Sequence, residues 1–376
     1  MPGCTLRQVY MNRLSAVDAF GPAFARVGAL LFQPFRLNVW LKIGLIGLLG
    51  GGLVTAGSGS SNFHMPDLNS RFPGGQAPPE LEDILRELRS IHLADYFQIF
   101  LIVFVLAIVI ALIFQYLFCR FRFILFDTVI TGQPAIGHGW RKYGSQANRY
   151  FGFWLVYRLV HWAALALIVG VPLWRAYKSG VFSTDNSLPA LFAVFAPIGL
   201  SILAISIIFA VVSTLMKDFV LPVLALDDFT LGDAWSSVWR VVASEPGAWA
   251  AYMGLKLVSA FAAGIAFAVA FVIAMIPAAI VIGIPVGILI GLGVMIFKMG
   301  SALGGGILCV IAALLAIAGF FCLLLLLTAP VSVFFASYAF YFFGGRYPKL
   351  AALLWPQPTP PMPPVPVGVS PTAQNS

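Results

Sequence analysis

The sequence predicts an all-α integral membrane protein with six transmembrane helices. They are arranged as three pseudo-repeated hairpin units, each introduced by an amphipathic helix on the cytoplasmic interface. Three observations predict it. Hydrophobic residues make up 60% of the 376 residues and charged residues 10%, with mean hydropathy +0.95, whereas a soluble domain carries about 25% charged residues. The apolar residues gather in runs of the roughly 20 residues that a bilayer crossing needs. Finally, Gly137, Trp140, Gly152, Trp154 and Tyr157 match Gly232, Trp235, Gly247, Trp249 and Tyr252, each pair 95 residues apart. A fixed offset over residue types that seldom replace one another marks duplicated units. A looser first copy lies near the start: Gly21, Ala23, Phe24 and Val27 precede Gly232, Ala234, Trp235 and Val238 by 211, and Trp40 precedes Trp249 by 209.

The first unit covers about 15–118. Phe20, Phe24, Val27 and Leu31 share one helical face and Pro34 closes the segment; span one then runs from Asn38 to about Ala56, with Trp40 at headgroup level. No small-residue cleavage site closes it, so it is expected to remain in the mature chain. An extracytoplasmic loop at 57–96 is rich in Gly, Ser, Pro and Asn. It carries an amphipathic helix after Pro78-Pro79, with Leu81, Ile84, Leu85, Leu88 and Ile91 on its apolar face. Span two is Phe97 to Phe118.

The second unit, 120–215, opens with Arg120-Phe121-Arg122-Phe123 and an interfacial helix from Pro134. Ile136, Trp140, Tyr143 and Ala147 form its apolar stripe, and Arg141, Lys142, Gln146 and Arg149 its wet side, the pattern of a helix lying along a membrane surface. Span three is Phe151 to Trp174 and span four Pro189 to Leu215. The third unit, 217–343, repeats the plan with Leu231, Trp235, Val238 and Val242 on one face, a break at Glu245-Pro246-Gly247, and span five from Trp249 to about Ala274. Residues 275–297 are apolar but punctuated by Pro277 and Pro285, and their Gly283-x₃-Gly287-x₃-Gly291 ladder suits close helix packing. They read as a seventh span or a re-entrant piece. The last full span, Leu303 to about Leu327, is followed by Pro330 and an aromatic stretch to Phe343. Residues 1–350 thus form one polytopic domain, and the Pro-rich 355–376 form a disordered cytoplasmic tail.

Orientation follows from the cations. With six spans, thirteen Lys and Arg fall on one side and six on the other, which sets both termini in the cytoplasm. The formal charge of +8 is accounted for by these loops, and no basic stripe with interleaved aromatics points to nucleic acid. Cys4, Cys119, Cys309 and Cys322 show no metal or disulfide spacing.

Charged residues within spans default to functional candidates. Lys42, Arg158 and Lys256 follow their unit's Trp by two, four and seven residues, within about two turns of the interface, a depth from which long cations snorkel to phosphate. With Arg122 they are the candidate lipid-headgroup contacts, and Trp40, Trp140, Trp154, Trp235 and Trp249 the candidate interfacial anchors. Arg158 and His161 share a helix face. Asp127, His161 and Asp228 make up a candidate polar site. Every Asp and Glu maps to a loop or a helix end, which leaves no carboxylate at depth for proton coupling or intramembrane proteolysis. There is no HExxH and no GxxxxGK[ST]. Neither catalytic residues, a metal site nor a cofactor is expected.

The stretch Arg122-Phe123-Ile124-Leu125-Phe126-Asp127, followed by Trp140-Arg141, Gly144, Asn148 and Phe151, resembles an uncharacterised family of bacterial polytopic membrane proteins. More remotely the plan is similar to the membrane domains of some glycerophosphodiester phosphodiesterases, although the Glu and His clusters of their catalytic domain are absent. The resemblance implies a multi-pass protein of the bacterial inner membrane. The reading reached from sequence is a non-enzymatic membrane scaffold or lipid- or partner-binding component. Its partners would be membrane lipids and either another membrane protein or further copies of itself. The alternative is a transporter for a lipid or largely apolar solute.

Overall fold

The computed structural model describes residues 14–51, 93–179, 188–227 and 229–356. They are helical throughout: α1 (Phe20–Leu31), α2 (Leu37–Leu49), α3 (Leu93–Thr131), α4 (Ile136–Lys142), α5 (Gly144–Lys178), α6 (Leu188–Leu215), α7 (Leu221–Leu226), α8 (Leu231–Ser244), α9 (Pro246–Ala278), α10 (Ile284–Lys298), α11 (Ala302–Gly344) and α12 (Pro348–Leu354). Two π-helical turns, Met216–Val220 and Ala279–Gly283, join α6 to α7 and α9 to α10 without ending the helix. Among the described residues five stretches are long and apolar enough to cross a membrane: Phe100–Thr131, Gly144–Lys178, Phe192–Leu226, Pro246–Lys298 and Ala302–Gly344.

The two ends of this bundle differ. At one end the C-terminal turns of α3, α6 and α11 meet the N-terminal turns of α5 and α9, and their side chains form a continuous core. Phe123, Phe126, Tyr150, Phe219, Tyr252, Tyr338, Phe342 and Phe343 are all buried there. Away from it the same helices become shafts with bare apolar sides, such as Phe100, Phe104, Leu159, Ile207, Val272 and Leu314. The shafts pack chiefly through α10, which lies against the first half of α11. Its close approach uses Gly293 and Gly305: a Cβ on Gly305 would stand 2.5 Å from the Gly293 carbonyl oxygen.

Several boundaries differ from the sequence reading. Span one is only the 13 residues of α2, about 20 Å long, and it stops at Gly50-Gly51, where Gly51 takes φ +83°. Residues 52–56 and the loop assigned to 57–92 lie outside the described residues, and 93–96 already belong to α3. α1 is packed on one face and open on the other, where Phe24 is 62% exposed. It runs antiparallel to the end of α11, with the Phe20 ring 4.7 Å from Tyr338 and Phe24 4.6 Å from Phe334, and its Arg26 donates to the last carbonyls of α3, Val129 O at 2.9 Å and Ile130 O at 2.8 Å. The helix predicted from Pro134 is divided at Tyr143, and its second half is the start of α5.

Residues 275–297 continue the helix that precedes them. The π turn carries α9 into α10 as one stretch of 53 residues, and Gly287 and Gly291 of the ladder face open space. Pro330 does not end the last helix. A proline has no N–H for the carbonyl four residues back, here Leu326, and the Trp40 indole donates to that oxygen at 2.9 Å instead. α11 therefore runs for 43 residues.

Candidate functional site

Each of three buried carboxylates in the core end accepts from one tyrosine hydroxyl and one lysine ammonium. Asp127, in the last turn of α3, receives Tyr143 Oη at 2.8 Å and Lys142 Nζ at 3.0 Å. Asp218, in the π turn after α6, receives Tyr252 Oη at 2.9 Å and the Lys256 ammonium, both from α9. Asp227, at the C-cap of α7, receives Tyr347 and Lys349 at the start of α12. The carboxylates are only 6%, 4% and 8% exposed. A buried carboxylate is costly unless paired and hydrogen-bonded, and each of these has a charge partner and a second donor. Glu245 pairs in the same way with Arg346 at 3.1 Å, and Arg346 Nη1 also donates to Leu14 O, tying the first described residue to the end of α11.

At the edge of the membrane-crossing stretches, burial pushes the Tyr143 hydroxyl up to about 12, reinforced by Asp127. Burial opposes charge on Lys142, but hydrogen bonds to Tyr143 and Asp127 outweigh it and raise its pKa. Burial, with Asp227 beside it, holds Tyr347 above the ordinary phenol value. Both tyrosines are thus fixed as neutral donors, and Lys142 as a cation.

Beside the Asp218 triad lies a cavity of about 30 Å³ whose polar lining is Arg122, Lys217, Asp218, Lys256 and Ser332. Arg122 donates to Gly50 O at 2.7 Å, and its guanidinium stands 5.4 Å from the centre of the Phe118 ring. Lys217 stands 5.2 Å from the Trp154 ring and 5.9 Å from Phe118. Ser332 is turned away, donating to Thr328 O at 2.9 Å.

The residues singled out from sequence are distributed as follows. Trp154 and Trp249, offered as interfacial anchors, are both 3% exposed and belong to the core. Trp249 packs edge-on against Phe219 at 4.4 Å, and Trp154 against Tyr157 at 5.0 Å. Trp40 is occupied with α11, as above. Trp140 and Trp235 are half-buried, Trp140 lying under the Arg120 guanidinium at 5.1 Å. Among the candidate headgroup contacts, Lys42 and Arg158 are exposed on their helices and Arg122 is half-buried. Lys256 does not reach outward: it is buried and bonded to Asp218. The candidate polar site comprised Asp127, His161 and Asp228. Asp127 belongs to its own triad, the His161 ring lies flat on Phe209 at 4.3 Å, and Asp228 falls outside the described residues.

Sequence reasoning missed Asp218, which it treated as a loop residue although it is buried within a continuous helical stretch, and chose Asp228 where Asp227 carries the bonds. A signal was present in the lysine and tyrosine that stand within four residues of each other in Lys142-Tyr143, Tyr252…Lys256 and Tyr347…Lys349. Among the described residues no group of His, Cys, Asp and Glu is arranged to hold a metal ion.

The profile of a family of unknown function, DUF7544, matches residues 14–353, which take in all three triads and the cavity. No curated protein and no solved structure matches the chain. Nothing in these comparisons ties it to glycerophosphodiester phosphodiesterases.

Proposed function

The chain belongs to DUF7544, and from its own geometry we propose a non-enzymatic role: a membrane-embedded scaffold that binds lipid or a membrane-protein partner along its shafts. The observation that carries this reading is the contrast between the two ends. One end is closed by ion pairs and stacked aromatic rings, whereas in each crossing stretch at most 6% of the most apolar window is buried within the chain. Contiguous bare apolar surface on that scale marks contact with lipid or protein. Six crossings in three hairpins, with both chain ends on the cytoplasmic face of a bacterial inner membrane, belong to the same reading. It is supported by the Arg346–Leu14 bond, which brings the two described ends together, and by the thirteen cations counted on that side. α4 and α8, which begin 95 residues apart at Ile136 and Leu231, are its interfacial elements.

The transport reading asks for a polar, water-filled path reaching Arg158 or His161. Neither residue lines the cavity, and the scaffold is preferred for that reason. Extraction in a mild detergent, followed by identification of what co-purifies, tests the proposal. Tightly held phospholipid, a stoichiometric membrane-protein partner or a stable homo-oligomer is the expected outcome. A lipid-free monomer that keeps its full thermal stability contradicts it.

A further inference from the structure

The cavity beside Asp218 has a surplus of positive charge and of donors. Four of its lining residues are charged, and Lys256 and Asp218 neutralise each other. Among the described residues Arg122 and Lys217 form no ion pair. The Arg122 Nη1 bond to Gly50 O leaves its Nε buried with no acceptor. Among the described residues Lys217 makes no hydrogen bond, and its ammonium stands over the rings of Phe118 and Trp154. Next to them the Trp154 Nε1 and Tyr150 Oη atoms are buried as well, their rings 6.0 Å apart. Asp218, the carboxylate in the cavity lining, already accepts from Tyr252 and Lys256 through one of its oxygens.

Two uncompensated cations at the edge of an apolar core are costly by themselves. Water would satisfy donors but not charge. A ligand that accepts hydrogen bonds at several oxygens and carries negative charge satisfies both, and such charge-assisted bonds are the strong ones. The cavity holds about 30 Å³, and a water needs about 10–15 Å³ on this measure, so it has room for about two or three water-sized groups, and any larger body attached to a ligand's oxygens must lie outside. Arg122 and Lys217 are only partly buried, which puts the way in on their side.

We propose that Arg122 and Lys217 bind a phosphate-class oxyanion in the cavity enclosed by α3, the turn after α6, α9 and α11. Phospholipid headgroups and free phosphate share this chemistry. The proposal leans on the lipid-associated role only for its choice between those sources, since the site itself stands on the unpartnered cations.

The test uses the full chain, purified in detergent and stripped of lipid. Inorganic phosphate is titrated calorimetrically in one arm. In the other, phosphatidylglycerol and diacylglycerol with the same acyl chains are compared by native mass spectrometry. Saturable binding of inorganic phosphate, or retention of phosphatidylglycerol well above diacylglycerol, supports the site, and which arm responds identifies the source. Arg122→Gln and Lys217→Met should each weaken binding by about tenfold or more, the effect of one charge-assisted hydrogen bond. Lys217→Arg should retain it, and Lys298→Gln, an exposed cation at the end of α10 and outside the cavity, should leave it unchanged. Thermal unfolding confirms that each variant is folded; if Arg122→Gln is not, the two Lys217 variants decide. Wild-type protein that binds neither ligand above its control, or folded Arg122→Gln and Lys217→Met that bind as wild type does, would overturn the proposal. A monomer that binds phosphate but holds no lipid shell would sink the scaffold reading and leave this one standing.

Discussion

Replacing Asp218 with Asn strands the Lys256 ammonium in a site where its side chain is only 9% exposed. Removing one partner of a buried ion pair costs about 3–5 kcal/mol, so Asp218→Asn should be among the most destabilising single changes in this chain. Adding Lys256→Met should recover part of the loss, and denaturant unfolding in detergent measures both. Trp40→Phe keeps the ring but leaves the Leu326 carbonyl beside Pro330 without a donor, at a cost of about 1–3 kcal/mol; if its unfolding midpoint matches wild type, the indole does not compensate for Pro330. Neither relationship was legible in the sequence. Lys256 and Asp218 are 38 residues apart, and Trp40 and Leu326 286, distances over which spacing carries no signal. Lys256 alone looks like a snorkelling cation, and Trp249 alone looks like a headgroup anchor. Their burial is decided by which helices meet, and neither a hydropathy run nor a Trp position encodes that.

Helices were more legible than their ends. Apolar runs located all five long stretches, because only a helix satisfies its backbone inside lipid. Proline and glycine were misleading as punctuation: Pro277, Pro285 and Pro330 all lie within or beside continuous helix. In membrane helices a π turn or a neighbouring side chain can take up the disturbed carbonyl, and here both devices occur. The glycine ladder was likewise assigned to the wrong glycines, since its i, i+4 spacing marks a smooth face without saying whether a partner lies on it. Gly305→Ala should therefore push α10 from α11 and destabilise by about 1–3 kcal/mol, since the added carbon would meet Gly293 O at 2.5 Å. Gly287→Ala and Gly291→Ala meet nothing within 4 Å and should be neutral or stabilising by about 0.5–1 kcal/mol. Equal effects at the three sites, read by thermal unfolding in detergent, would show that α10 and α11 do not pack this way.

Across the whole molecule the design is asymmetric: a bonded end and an apolar end. Many of the cations counted for orientation by the positive-inside rule also close the bonded end from within. Arg26, Arg120 and Arg346 donate to backbone carbonyls, and Lys142 and Lys349 to buried aspartates. The charge count that suggested topology was therefore also a record of core bonds, and sequence alone does not separate the two roles. The central claim is that the shafts lie in lipid while α4, α8 and the triads sit together at one aqueous face. Nitroxide labels on single cysteines, read for collisions with oxygen and with a water-soluble nickel chelate in reconstituted vesicles, test it most directly. Labels at Phe104, Leu159, Ile207, Val272 and Leu314 should collide with oxygen and not nickel, and labels at Arg141, Arg149 and Arg240 should show the reverse. Shaft labels as open to nickel as those on α4 and α8 would contradict the account.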